Sequence, residues 1–243
     1  MASDTETTGT QITWLGHATF LLTAPSGTRL LVDPFVENNP SCPESFHDLG
    51  TLDCVAITHG HQDHVADAVA ICTRHNPTTA AMVEVAGWLQ RSGVPEENLV
   101  AMNKGGTVRL ADVDVTMVHA QHSSSMPGPE GDLVGGEAAG LVIGFEDGTR
   151  IYHAGDTCVF SDMRLIAELY QPTIALLPIG DRFTMGPREA ALACELLGVP
   201  RVVPMHYGTW PILTGTPEAL AAECLRRDLE IEVVAMAPGD TLG

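Results

Sequence analysis

Basic residues are scarce in this 243-residue chain: 12 Lys and Arg stand against 31 Asp and Glu, a formal charge of −19, and Lys104 is the sole lysine. A surface this acidic repels phosphate backbones, which argues against a nucleic-acid partner. Aromatic residues are also few, at 5%. No run approaches the roughly 18 uninterrupted apolar residues a membrane span requires, so no membrane association is expected. The opening segment Met1-Ala2-Ser3-Asp4-Thr5-Glu6-Thr7-Thr8 has neither a basic stretch nor an apolar run, and no secretory signal is read there. The six cysteines at 42, 54, 72, 158, 194 and 224 form no C-x-x-C pair. They read as reduced, mostly buried thiols, Cys158 included, which fits a soluble cytoplasmic protein.

With 44% apolar residues and only 18% charged, the composition is globular. Short apolar runs alternate with amphipathic ones, and no linker or low-complexity segment divides them, so residues 1–243 read as a single domain. Strands are expected at 11–15, 18–24, 28–33, 54–58, 80–83, 99–102, 107–110, 113–118, 140–145, 149–153, 173–177, 201–204 and 231–235. Helices are expected over 63–74 (or from 65), 83–92, 161–169, 187–197 and 216–227. Residues 20–33 and 141–156 share a pattern: an apolar strand, a Gly-Thr-Arg turn, a second apolar strand and a following aspartate. The repeat suggests two similar αβ halves with sheets face to face and helices outside.

The strongest chemical signal is Thr58-His59-Gly60-His61-Gln62-Asp63-His64, where a buried strand ends and a helix begins. Imidazoles at His59 and His61 can converge on one cation, and Asp63 with His64 can reach a second beside it. Further donors follow strand ends: His122 after 113–118, Asp156 within His153-Ala154-Gly155-Asp156-Thr157, and His206 within Pro204-Met205-His206-Tyr207-Gly208-Thr209. Loops at strand ends are where sites are commonly assembled.

The His-x-His-x-Asp-His motif, followed in order by His122, Asp156 and His206, resembles the metallo-β-lactamase superfamily. The likeness extends from Trp14-Leu15-Gly16-His17-Ala18-Thr19-Phe20 to Asp240. Asp33-Pro34-Phe35, Leu177-Pro178-Ile179-Gly180-Asp181 and Phe183-Thr184-Met185-Gly186 are similar to the metal-dependent hydrolase branch that also holds relatives of ascorbate-6-phosphate lactonase. The resemblance implies an α/β fold, a four-layer αββα sandwich, with a two-metal site at one edge. It implies that His59, His61 and His122 hold the first ion, that Asp63, His64 and His206 hold the second, and that Asp156 bridges them. Zinc is the first expectation and manganese the second. A homo-oligomer is also in keeping with the resemblance.

Two divalent ions lower the pKa of a shared water from 15.7 to about 7, so hydroxide forms at neutral pH and attacks a carbonyl or phosphorus. The expected substrate is a small molecule with a lactone, ester, amide or phosphoester bond. Asp63 is the candidate to orient or deprotonate the nucleophile, and no Gly-x-Ser-x-Gly elbow proposes a serine instead. His153 and Tyr207, flanking ligands, are expected to contact substrate or leaving group. His17 and Asp33 are expected to hydrogen-bond ligand imidazoles. Asp181 is expected to line or brace the site. His47, His75 and His119 are read as remote. Segment 123–139, rich in Gly and Pro, is read as a long, substrate-shaping lid over the site whose glycines permit movement, an ordinary surface loop being the alternative. Met126, Phe183, Met185 and Trp210 are candidate apolar walls, and Arg182 and Arg188 the candidate cations. An iron-dependent redox enzyme on the same fold, or a non-catalytic metal-binding or sensing protein, are the alternatives.

Overall fold

A computed structural model describes residues 9–243; the polar opening segment 1–8, read above for signal sequences, lies outside the described residues. The first half runs β1 (Gln11–Trp14), β2 (Phe20–Thr23), β3 (Arg29–Val32), β4 (Cys54–Ala56), α1 (Gln62–Val65), α2 (Ala68–His75), β5 (Thr78–Met82), α3 (Val83–Arg91) and β6 (Leu99–Met102). The second runs β7 (Thr107–Leu110), β8 (Val113–His119), β9 (Ser125–Met126), β10 (Leu133–Val134), β11 (Ala139–Gly144), β12 (Arg150–His153), α4 (Met163–Tyr170), β13 (Ile174–Pro178), α5 (Pro187–Leu197), β14 (Arg201–Met205), α6 (Pro217–Arg226) and β15 (Glu232–Val233). A last strand, β16 (Thr241–Leu242), was not anticipated from the sequence and returns to pair with β1.

Two seven-stranded sheets result, ordered β16-β1-β2-β3-β4-β5-β6 and β7-β8-β11-β12-β13-β14-β15. Along each, three antiparallel pairings are followed by three parallel ones. The two stretches that share a sequence pattern occupy matching places: β2–β3 and β11–β12 are each the last antiparallel pair before the parallel strands. Asp33 and Asp156 therefore leave equivalent strands. Inner-face residues of both sheets, among them Phe20, Leu30, Val115 and Ile151, share one core that also takes in α2 and α3. Outer-face Val142, Tyr152 and Leu177 pack with α4, α5 and α6 in a second core. The layers are thus αββα, and burial on both faces explains why β3, β4 and β13 are almost wholly apolar. Among the described residues, no helix is long and apolar enough to cross a membrane.

Three sequence expectations change. Strands 11–15 and 18–24 are a hairpin closed tightly at 15–19, where Gly16 and His17 both take positive φ and the Thr19 amide donates to the Gly16 carbonyl. The helix expected over 63–74 is broken in two, because Asp67 turns its carboxylate out to the 34–38 loop. There it accepts from the amides of Val36 (2.6 Å) and Asn38 (3.1 Å) and from the Asn38 side chain. The long loop 123–139 contains the β9–β10 hairpin. Its base is tied down: Ser124 Oγ accepts from the Gly60 amide and donates to the Gly135 carbonyl, while Trp88 Nε1 donates to Pro127 O. It is a docked wall and not a free strap.

Asp67→Ala would strand those donors and is expected to lower unfolding free energy by about 2 kcal/mol. Urea denaturation checks this, and an unchanged midpoint would mean that other contacts hold the 34–38 loop.

Candidate metal centre

The parallel strands of each half end at one edge of the sandwich, and the loops that leave them carry the chemistry. His59, His61, Asp63 and His64 follow β4, His122 follows β8, Asp156 follows β12 and His206 follows β14. The halves are joined there by backbone: the His17 carbonyl accepts from the His206 amide at 2.9 Å and from Trp14 Nε1 at 3.0 Å. His17, Asp33 and His206 all adopt left-handed φ (54°, 52° and 55°), a conformation that costs a non-glycine residue energy and persists where surroundings impose it. Close contact imposes part of it, since a Cβ on Gly180 would lie 2.1 Å from the His206 carbonyl oxygen.

Every residue expected to bind metal comes into three overlapping groups, one of them His59, His64 and Asp156. One ligand atom each from His59, His61 and His122 lies within 4.8 Å of the others, and the same holds for His17, Asp63, His64 and His206. Asp156 sits between the groups: Oδ2 is 3.1 Å from His206 Nε2 and 3.7 Å from His122 Nε2, and Oδ1 is 3.3 Å from His64 Nε2.

Hydrogen bonds fix which nitrogens face inward. Asp33, fully buried, accepts from the Thr58 amide and hydroxyl, both at 2.8 Å, and from His64 Nδ1 at 2.7 Å. An ionised carboxylate only accepts, so His64 carries a proton on Nδ1 and turns Nε2 toward Asp156. The Thr58 hydroxyl, donating to Asp33, accepts from His59 Nδ1 at 3.0 Å, which leaves His59 Nε2 as an acceptor 3.1 Å from His61 Nδ1. His17 was expected to bond a ligand imidazole; instead its Nε2 lies 3.1 Å from Asp63 Oδ2 and its Nδ1 2.9 Å from the Thr209 hydroxyl.

The electrostatics call for positive charge. Burial, then the neighbouring His206, lowers the His17 pKa to about 4, so this ring is neutral and donates to Asp63. Burial disfavours charge on His64 too, yet Asp156 and Asp33 outweigh it and hold its pKa well above the ordinary value. Burial likewise opposes ionised Asp156, but His206 and His64 keep its pKa well below the usual carboxylate range. His59, deepest in the cluster, is held well below by burial and by His64. His64 Nε2, both nitrogens of His206 and Asp156 Oδ1 are buried without a hydrogen-bond partner among the described residues. Buried polar atoms cost free energy when unpaired, and donors close together but misdirected for hydrogen bonds are what a shared cation needs. The donor set fits divalent ions held by imidazole and carboxylate.

A cavity of about 380 Å³ opens beside the cluster, lined by His61, Asp63, His122 and Asp156, with Met126 and Phe183 among its apolar walls. Trp210 borders an adjoining hollow with Phe35 and Asp63. Asp132, on the β9–β10 hairpin, also lines the main cavity and was missed from the sequence, where only its place in the covering segment hinted at it.

Several expectations are corrected. His153 does not face substrate: it is fully buried, Nε2 donates to the Ala18 carbonyl at 2.9 Å, and Nδ1 accepts from the Gly155 amide at 3.1 Å. Tyr207 does not line the cavity either; it stacks on Trp14 with centroids 5.3 Å apart, and its hydroxyl donates to the Met236 carbonyl at 3.4 Å. Met185 is buried away from the cavity, Arg182 and Arg188 do not line it, and Asp181 is exposed. Cys158 is exposed, whereas the other five cysteines are buried. His47, His75 and His119 lie outside the cluster, and His119 contacts Lys104 and Phe160.

Asp33→Asn presents an amide N–H₂ to His64 Nδ1, favours the tautomer protonated on Nε2, and is expected to weaken metal binding about 10- to 100-fold. Competition against a chromophoric chelator reads this directly, and unchanged affinity would dissociate Asp33 from the centre. Tyr207→Phe is expected to keep full metal content and to lose at most about 1 kcal/mol of stability; loss of metal would return Tyr207 to the site.

Comparison with known proteins agrees with this geometry. The family model described as "Beta-lactamase superfamily domain" matches residues 28–207. A UPF0173 metal-dependent hydrolase of Rubrobacter xylanophilus is 51% identical over 236 residues, 97% of each chain. Another of that name from Koribacter versatilis is 48% identical over 234 residues, 96% of this chain and 97% of its own. Among solved structures, Igni18, a metallo hydrolase from Ignicoccus hospitalis, superposes with a TM-score of 0.82 at 33% identity, covering 96% of this chain and 97% of that one. The chain belongs to the metallo-β-lactamase superfamily and, within it, to the UPF0173 family of metal-dependent hydrolases.

Proposed function

We propose that the chain hydrolyses a small molecule at a centre of two divalent metal ions, zinc first and manganese second. The observation that carries the reading is Asp156, a buried carboxylate within 3.7 Å of His64, His122 and His206, and so placed between two groups of imidazoles. His59, His61 and His122 would hold one ion, Asp63, His64 and His206 the other, with Asp156 shared. When bound, the ions supply acidification of water and polarisation of the substrate's carbonyl or phosphoryl oxygen.

The protein's own groups do the rest. Asp63, half-buried at the cavity, has Oδ2 committed to His17, which leaves Oδ1 available to a water. Burial pushes its pKa up, but the hydrogen bond from His17 and the charge on His64 bring it below the ordinary range, so it is ionised at neutral pH. Asp63 accepts the nucleophile's proton there and returns it to the departing oxygen or nitrogen. The Met126 and Phe183 walls exclude water from one side of the bound substrate. Lactone, ester, amide and phosphoester bonds all suit this arrangement. The partner is thus a small molecule, and the acidic surface speaks against nucleic acid. Six free cysteines fit a reducing, cytoplasmic setting.

Elemental analysis of untagged protein is the test, and about two zinc or manganese ions per chain are expected. One iron per chain would favour oxygen-dependent redox chemistry instead. His61→Ala and Asp156→Ala are each expected to lower metal content and abolish turnover of ester and lactone substrates while the circular dichroism stays native; undiminished turnover in either would sink the two-metal assignment. Chelation is expected to lower the melting temperature, because ions that bind only the folded chain stabilise it by mass action.

A further inference from the structure

The centre binds the reacting group; what the remainder of the substrate meets is a separate matter. Beside His61 and Asp63 the cavity is lined by Met126, Pro127, Phe183 and Asp132. Among the described residues that line it, none is a lysine or arginine. Arg182, the nearby candidate, stacks on Phe183 with its guanidinium carbon 5.5 Å from the ring centroid and lies outside the lining. Asp63 and Asp156 are engaged by histidines, whereas Asp132 is exposed, on the strand-to-strand connection of a hairpin docked at its base. The chain's overall charge of −19 adds a field of the same sign.

We propose that Asp132 is a specificity-determining residue: with the apolar wall of Met126, Pro127 and Phe183, it selects substrates whose far end is an organic cation and disfavours those whose far end is anionic. The proposal rests on the hydrolase reading for its chemistry, but not for its binding test. The apolar wall accommodates a short alkyl spacer between the reacting bond and the charged end. A substrate bearing a phosphate or carboxylate at that end meets a carboxylate with no cation to pair it.

The test uses metal-loaded protein and three chains of matched shape: 4-trimethylammoniobutanoate, its uncharged isostere 5,5-dimethylhexanoate, and the dianion glutarate. Each presents a carboxylate to the metals and a different end to Asp132. Their 4-nitrophenyl esters provide the matching substrates. Binding by calorimetry at low salt is expected to rank cation over isostere over dianion, with the cation-to-dianion ratio about 5- to 30-fold, the scale of a solvent-facing charge acting with opposite sign on two ligands. Asp132→Asn is expected to reduce that ratio several-fold, and Asp132→Arg to reverse it. About 1 M salt, where the screening length is about 3 Å, should collapse it in the wild type. Relative kcat/KM for the esters should follow the same order.

Equal or tighter binding of glutarate, or a ratio unmoved in Asp132→Asn, overturns the proposal whether or not any ester is cleaved. Absence of metal-dependent cleavage of all three esters, with the binding order intact, counts against ester hydrolysis and leaves the selectivity of the cavity supported.

Discussion

Two buried carboxylates govern this molecule. Asp33 and Asp156 leave equivalent strands of the two sheets, and a carboxylate in a protein interior is tolerable only when charge and hydrogen bonds compensate it. Asp33 is compensated locally, by the Thr58 amide and hydroxyl and by His64. Asp156 is not: histidines approach it from three loops, yet Oδ1 has no hydrogen-bond partner among the described residues. The first carboxylate is thus a fixed structural acceptor, while the second asks for a cation.

The arrangement of the halves follows from that pair. Asp33 sets the tautomer of His64 directly and that of His59 through Thr58, so one residue of the first half aims two imidazoles at the carboxylate of the second. The His17 carbonyl, accepting from the His206 amide, locks the loops together across the seam. Left-handed backbone at His17, Asp33 and His206 is strain concentrated where the site is, sustained by close packing such as that of Gly180 on the His206 carbonyl. Outward from this rigid centre the constraints relax. The β9–β10 hairpin is pinned at Ser124 and Trp88, while its far end bears the exposed Asp132. The clustered histidines and the exposed Asp132 thereby reside on different elements.

Much of this was legible in the chain itself. The spacing of His59, His61, Asp63 and His64 after a buried strand is local, so the donor set could be read without coordinates, and the Gly-Thr-Arg repeat marked the two halves because each hairpin is contiguous in sequence. The alternation of apolar runs with amphipathic ones likewise located most strands and helices, since burial on one face or two is written in local periodicity. What depended on distant contacts was not legible. The break between α1 and α2 exists because Asp67 serves amides some 30 positions earlier. Nor does adjacency in sequence to Asp156 and His206 bring His153 and Tyr207 to line the cavity: His153 turns into the interior to bond the Ala18 carbonyl, and Tyr207, beyond the end of β14, stacks on Trp14.

By itself, then, the sequence determined the fold family, most of the order of the elements and the candidate donor set, because those donors follow strand ends and their residue types are few. Only the tertiary structure decided which nitrogens of His59 and His64 face inward, which carboxylate is satisfied locally and which is left without a partner among the described residues, and that Asp132 lines the cavity. Those outcomes turn on hydrogen bonds and close approaches between segments far apart in the chain, and such contacts come into being only when the two sheets pack.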